Sequence, residues 1–212
     1  MAGTYSTTTF TPITLGAQHM VGKDIYEPQR TNNFEIQFPS LGTLVSAGTG
    51  KNGTGSMKFT DPGNKITLSV KSVGDLSQSI DAIPVAYGNN AIKFAGKPNL
   101  NNISIGINDF IGMDTERILE AWSSLVYNKY TQAVGRASIY KTDAYLLEFA
   151  PDGTHVKVWK LEGCWPGTIT YGGFNQDGGS TREITMDLNV DFAYALDYEL
   201  DKAENWNVSS VL

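Results

Sequence analysis

Glu183-Ile184-Thr185-Met186-Asp187-Leu188-Asn189-Val190-Asp191-Phe192-Ala193-Tyr194 places an apolar side chain at every second position from Ile184 to Tyr194. Period-two alternation is the pattern of a strand with one buried and one wet face. At twelve residues the stretch is about twice the mean strand length of 5–6 residues. Its wet side carries Glu183, Asp187 and Asp191 and neither Lys nor Arg. A strand this long, apolar on one side and acidic on the other, suits a sheet that continues beyond one small domain. The reading therefore points toward assembly and away from catalysis.

Outward from this strand the chain reads as more strands. Tyr145, Leu147 and Phe149 alternate, Pro151-Asp152-Gly153 turns the chain, and Val156, Val158 and Leu161 return it. A glycine-rich stretch, 172–179, then leads into the final strand. Upstream, Phe34, Ile36 and Phe38 mark a strand ended by Pro39, and Ile66, Leu68 and Val70 mark another. Residues 76–87 are expected to be a strand that Pro84 confines to an edge, a bulge or a bend. Ile92 and Phe94 give a short strand after Gly88-Asn89-Asn90, and Ile103, Ile105 and Ile107 share one face of the next. Ile118, Trp122 and Leu125 instead recur at helical spacing, with Asp114 able to cap the start. One flanking helix over 114–127 is expected. The expected fold is a mainly antiparallel β sandwich or open barrel with that helix at its side.

Three regions follow. Residues 1–32 read as a Thr- and Ser-rich arm, 33–195 as the β domain, and 196–212 as an acidic extension with Asp197, Glu199, Asp201 and Glu204 against Lys202. Within the domain, 40–64 reads as a glycine-rich loop of a length that is usually functional or disordered. Gly48, Lys51 and Gly53 in that loop are candidates for contacts between stacked copies, ordered only on stacking.

Composition narrows the function. The chain has 212 residues, 22 Gly, 18% charged residues and a formal net charge of −6. Tight phosphate binding needs clustered Lys and Arg, so wrapping of nucleic acid is not expected. Cys164 is the single cysteine, so no internal disulfide can form. No apolar run approaches the ~20 residues needed to span a bilayer. The first residues lack the basic-then-apolar pattern of a secretory signal.

The chemical motifs are weak. Gly48-Thr49-Gly50-Lys51-Asn52-Gly53 matches G-x-G-x-x-G, but a phosphate cradle needs a strand before it and a helix after it. His19 and His155 belong to no ligand-spaced pair, so no metal site is expected. Sequons at Asn52, Asn102 and Asn207 matter only in a secretory pathway. Asp187 and Asp191 would stand roughly 13 Å apart by strand rise, wider than the about 6.5–9.5 Å of an inverting glycosidase pair. No catalytic constellation and no cofactor are expected. A sugar-stacking platform of Trp159, Trp165 and Tyr171 beside acidic residues is the rival reading, that of a carbohydrate-binding sandwich.

Several collinear stretches resemble the tail tube protein of contractile-tailed, T4-like bacteriophages. They are Asn33-Phe34-Glu35-Ile36-Gln37-Phe38, Ile83-Pro84-Val85-Ala86-Tyr87-Gly88-Asn89, Ile92-Lys93-Phe94-Ala95-Gly96, the segment carrying Trp122, Leu161-Glu162-Gly163-Cys164-Trp165-Pro166, and the final strand. The resemblance implies a structural, non-enzymatic subunit of stacked hexameric rings. These would make a hollow conduit that carries a genome into a host after sheath contraction, within a virion assembled in the bacterial cytoplasm. It implies sheath, baseplate and tape-measure proteins as partners, no membrane anchor, and DNA passing through the lumen without specific binding. Under that reading Glu183, Asp187 and Asp191 are candidate lumen-lining residues, since acidic walls repel phosphates. A tube of a phage-like injection device, or a baseplate tube initiator, would share the same logic.

Overall fold

The computed structural model describes residues 29–48, 59–151, 153–177 and 179–196. In chain order it contains β1 (Phe34–Gln37), α1 (Leu41–Gly48), α2 (Pro62–Ser69), β2 (Val70–Val73), β3 (Gln78–Tyr87), β4 (Asn90–Leu100) and β5 (Ile103–Asn108). Then follow α3 (Thr115–Val126), β6 (Tyr127–Asn128), β7 (Ala133–Val134), α4 (Ala137–Tyr140), β8 (Thr142–Phe149), β9 (His155–Tyr171), β10 (Glu183–Asn189) and β11 (Phe192–Leu196). The strand pairings are antiparallel throughout, and the mainly β expectation holds.

β9 organises the fold. It has 17 residues, and different partners flank its two halves. Along its first half β8 and β11 pair on either side; along its second half β10 replaces β11 and leads on to β5 and β2. The result is two four-stranded sheets, β1-β8-β9-β11 and β9-β10-β5-β2, sharing one strand. The corner lies at Gly163, where φ is +69°. There Glu162 and Gly163 stand opposite Asp143 alone, between the pairs Ala144↔Leu161 and Thr142↔Cys164. An extra residue with a left-handed glycine is a β-bulge, which bends a strand and increases its twist.

The corner also corrects the reading of the final strand. The stretch 183–194 is not one strand but β10 and β11, interrupted at Val190 and Asp191. Ile184, Met186 and Leu188 are fully buried, as the alternation predicts, yet Phe192 is 67% exposed and Tyr194 41%. Ala193 packs against the core in their place. A one-residue slip sends every later side chain to the opposite face, and the corner imposes that slip.

The main core gathers Ile36 and Phe38, Leu41 and Val45 of α1, Ile66 of α2, Ile103, Ile105 and Ile107 of β5, the buried stripe of α3, and Ile184, Met186 and Leu188 of β10. Each such side chain contributes about 1.5–3 kcal/mol of burial. α3 runs Thr115–Val126 and buries Ile118, Leu119, Trp122 and Leu125. Asp114 precedes it without a side-chain capping bond; its carboxylate instead pairs with Arg117 and, at 3.8 Å, with Lys65.

α3 is not the lone helix. Residues 40–64 were expected as one long loop, but α1 occupies Leu41–Gly48 and α2 begins at Pro62. Residues 66–70, expected as a strand, are the end of α2 and the first residue of β2. Pro62, Ile66 and Ser69 are buried while Leu68 is 68% exposed. That is a helical repeat, and proline at the first helical position is pre-set for it.

Candidate assembly surfaces

The side of β9-β10-β5-β2 that faces away from the core is small and polar. Thr185 stands between Gly106 of β5 and Thr170 of β9, and Asp187 between Ser104 and Thr168. Ser72 of β2 lies beside Gly106, whose missing side chain leaves room for the Ser72 hydroxyl and the Glu183 carboxylate. Two of the three acidic candidates, Glu183 and Asp187, thus share this face. Glu183 is not a bare charge: Lys71 Nζ donates to its Oε2 at 2.6 Å. The final strand by itself lacks cations, and β2, on the far side of β5, supplies one. The face is therefore hydroxyl-lined and only weakly anionic.

Asp191 stands elsewhere. It sits at the corner, its carboxylate packed against Gly163 and accepting from Lys141 Nζ at 2.5 Å, while its amide donates to the Glu162 carbonyl at 3.0 Å. The expectation that it shares a wet face with Asp187 is corrected by the interruption at 190–191. Its role here is to hold the bend.

Beyond the corner a second polar set forms around Glu162. Its carboxylate accepts from Lys160 at 2.8 Å and from the Tyr194 hydroxyl at 2.7 Å. The Lys160 bond and then the Tyr194 bond hold the Glu162 carboxyl below its ordinary range, and the bond to Glu162 pushes the Lys160 ammonium above its own.

Two strand edges of the β9-β10-β5-β2 sheet have no partner among the described residues: the outer edge of β2 and that of β9 beyond Cys164. Unpaired edges present rows of N–H and C=O groups that template pairing with another chain.

A surface that the sequence reading passed over is the ribbon of β3 and β4. Every residue of β3 is exposed, and the two strands pair only with each other. Ile83 pairs with Phe94 and Val85 with Ile92, with Tyr87 at the tip, so five large apolar side chains share one face. The opposite face holds Ala82, Pro84, Ala86, Ala91, Lys93 and Ala95. A two-residue turn, Gly88-Asn89, joins the strands with Gly88 at φ +60°, as a type II′ hairpin requires. The signal was present in the alternating runs on either side of Gly88-Asn89; what alternation could not show is that the apolar side would face solvent.

The remaining candidates are not brought together. Gly48 ends α1, and Lys51 and Gly53 lie outside the described residues. Trp159 donates to Glu148 at 3.0 Å beneath the Lys157 ammonium, whereas Trp165 packs edge-on to Tyr140 beyond the corner. Tyr171 lies at the far end of β9, so the three rings form no common platform. Cys164 is buried, and desolvation pushes its thiol far above the ordinary range. Among the described residues no group of three His, Cys, Asp or Glu side chains is placed to hold a metal, and no helix is long and apolar enough to cross a membrane.

No protein-family model matches the sequence, and no curated protein is recognisably similar to it. Solved structures do share the fold. A chain of the anti-feeding prophage tube-terminating cap superposes with a TM-score of 0.58 at 16% identity, covering 86% of this chain and 100% of its own. A chain of the sheath–tube complex of an extracellular contractile injection system, in the extended state, gives 0.57 at 18% identity, covering 82% and 95%. A chain of the anti-feeding prophage baseplate gives 0.53 at 10%, covering 81% and 97%. The fold is that of chains in contractile injection systems.

Proposed function

We propose that this chain is the repeating structural subunit of a hollow tube in a contractile-tail particle. One observation carries the reading most directly. The sheet with the hydroxyl-lined face ends in two unpaired edges, β2 and the second half of β9. Edge pairing between copies, β2 of one on β9 of the next, removes both edges and extends the sheet into a closed barrel. Closure is the one arrangement that abolishes strand edges altogether. The likeness to chains of tube-terminating and sheath–tube assemblies supports the same reading.

In the closed barrel the β9-β10-β5-β2 face lines the channel. Ser72, Ser104, Thr168, Thr170, Thr185 and Asp187 then form a wall with no large apolar group on which cargo could lodge. Glu183, half offset by Lys71, and Asp187 give it a modest negative potential. Phosphates meet no row of cations there, so nucleic acid slides without being gripped. The helices α1–α3 lie on the other side of that sheet and face outward, toward a sheath. Six copies per ring, a genome or tape-measure protein as the content, a baseplate below and residence in a virion or tail-like particle complete the reading. The chain works by shape and stiffness and makes or breaks no bond.

The test is assembly of the purified protein. Sedimentation and negative-stain microscopy across a concentration series should give rings and stacked tubes with a hollow axis. A single copy at every concentration, with a ligand or turnover of its own, would overturn the proposal. A cap or initiator shares the fold, and copy number per particle separates it from the repeating subunit.

A further inference from the structure

The sheet β1-β8-β9-β11 is dry on both sides. Ile36, Ala144 and Leu161 point into the main core, and by strand parity Tyr145, Leu147 and Val158 point the other way. Yet those three are 2%, 1% and 0% exposed. They form a separate apolar cluster with Phe149 and Leu196, and every described member of it belongs to the sheet itself. Glu35, Leu147, Val158 and Leu196 make one row across the four strands. The helices α1 to α4 pack toward the main core, so among the described residues no helix lies over this second face. One layer of strands cannot exclude water from its own outer face. Burial of this degree within a single copy means that another part of the same chain covers it.

The stretches 1–28, 49–58 and 197–212 lie outside the described residues. Residues 49–58 come between α1 and α2, both of which pack on the main core, and Met57 is their only apolar side chain. Residues 197–212 continue directly from Leu196, whose side chain is already in the cluster. β11 pairs Leu196 with Val158. In that register residue 199 would stand opposite His155, where β9 begins, so the chain runs out of sheet almost at once. Tyr198 has the parity of Leu196, and Leu200 and Trp206 follow. The segment has the composition of an amphipathic cover: these side chains to bury, and Asp197, Glu199, Asp201 and Glu204 to stay wet.

We infer that residues 197–212 fold back over the outer face of β1-β8-β9-β11 and close a second hydrophobic core on Tyr145, Leu147, Phe149, Val158 and Leu196. The inference concerns one copy and stands apart from the tube reading. The length suffices. The three strand spacings from β11 to β1 come to about 14 Å, and the sixteen residues 197–212 would span roughly 24 Å even as a helix. The dry zone has the matching outline. Phe192 and Tyr194, on the same side of β11 but nearer the corner, are 67% and 41% exposed. The cover therefore starts past them, where β11 ends. An apolar sheet face left open is an aggregation liability. Closing it makes the acidic extension a working part of the folded body.

Substitutions in the full chain test this. Tyr198→Ser, Leu200→Ser and Trp206→Ser together should lower the melting temperature and open a site for the dye anilinonaphthalene sulfonate, equally at every protein concentration. Phe10→Ser, Ile13→Ser and Leu15→Ser together should do neither. Leu147→Ala should lower the melting temperature of the unaltered protein and lower it less in the extension variant, because both changes remove the same contacts. An extension variant with unchanged melting temperature and no dye binding would overturn the inference. So would effects that simply add to that of Leu147→Ala, or dye binding produced by the 1–28 variant instead. A melting temperature that recovers as concentration rises would also overturn it, since the cover would then be a second copy. Ring and tube formation is read separately by microscopy, and its failure would leave this inference standing.

Discussion

At the scale of single residues the bend in β9 depends on Gly163. Its φ of +69° is one that side chains rarely adopt, and the Asp191 carboxylate fills the space that a Cβ would need. Gly163→Ala should therefore lower stability by about 1–3 kcal/mol, measured by denaturant unfolding. Adding Asp191→Ala should recover part of that loss, because it removes the clash but not the strained φ. Glu162 gives a pH signature. Its folded-state pKa is depressed, first by the Lys160 hydrogen bond and then by that of Tyr194. Stability from this contact is complete above the unfolded carboxylate value and fades as pH falls through the lower folded one. Glu162→Gln should flatten the acid limb of melting temperature against pH; an unchanged limb would contradict the assignment. The alternation of the final strand marked Asp187 as wet from pattern alone. It missed Lys71 beside Glu183, because that neighbour lies 112 positions away in the chain.

Elements differ in how far pattern reveals them. α3 was legible because Ile118, Trp122 and Leu125 recur at its period, and its docking centres on Trp122. That ring is fully buried, lies edge-on to Phe38 and donates to the Tyr140 carbonyl at 2.8 Å. Trp122→Ala should cost about 3–5 kcal/mol, read from equilibrium unfolding. α2 was misread because Ile66, Leu68 and Val70 alternate across a helix-to-strand junction. In so short a segment two periods fit the same letters. The ribbon was read as strands, correctly, but its isolation was not legible. Limited proteolysis should cleave single copies within 78–100 and leave the same stretch protected in tubes. Equal cleavage in both states would show that assembly does not cover it.

On the scale of the whole molecule, the proposed tube makes the channel wall and the strand edges separate surfaces, so changes to one should leave the other working. Asp187 stands between Ser104 and Thr168, away from both free edges, and on the tube reading it belongs to the channel wall. Asp187→Lys should still form tubes of normal length, yet bind short DNA at low salt, with binding lost as salt rises. Loss of tubes from this substitution would place Asp187 in a contact between copies and not on the wall.

The sequence by itself determined the mainly antiparallel class, the position of the Trp122 helix and the apolar identity of Ile184, Met186 and Leu188. Those are local properties, set by the spacing of side chains along a few residues. Only the tertiary structure decided that the final strand breaks at the corner, that Phe192 and Tyr194 turn outward, and that Asp191 braces Gly163. The physical reason is that a bulge in one strand fixes the parity of its neighbour. Alternation within the neighbour's own letters carries no record of it.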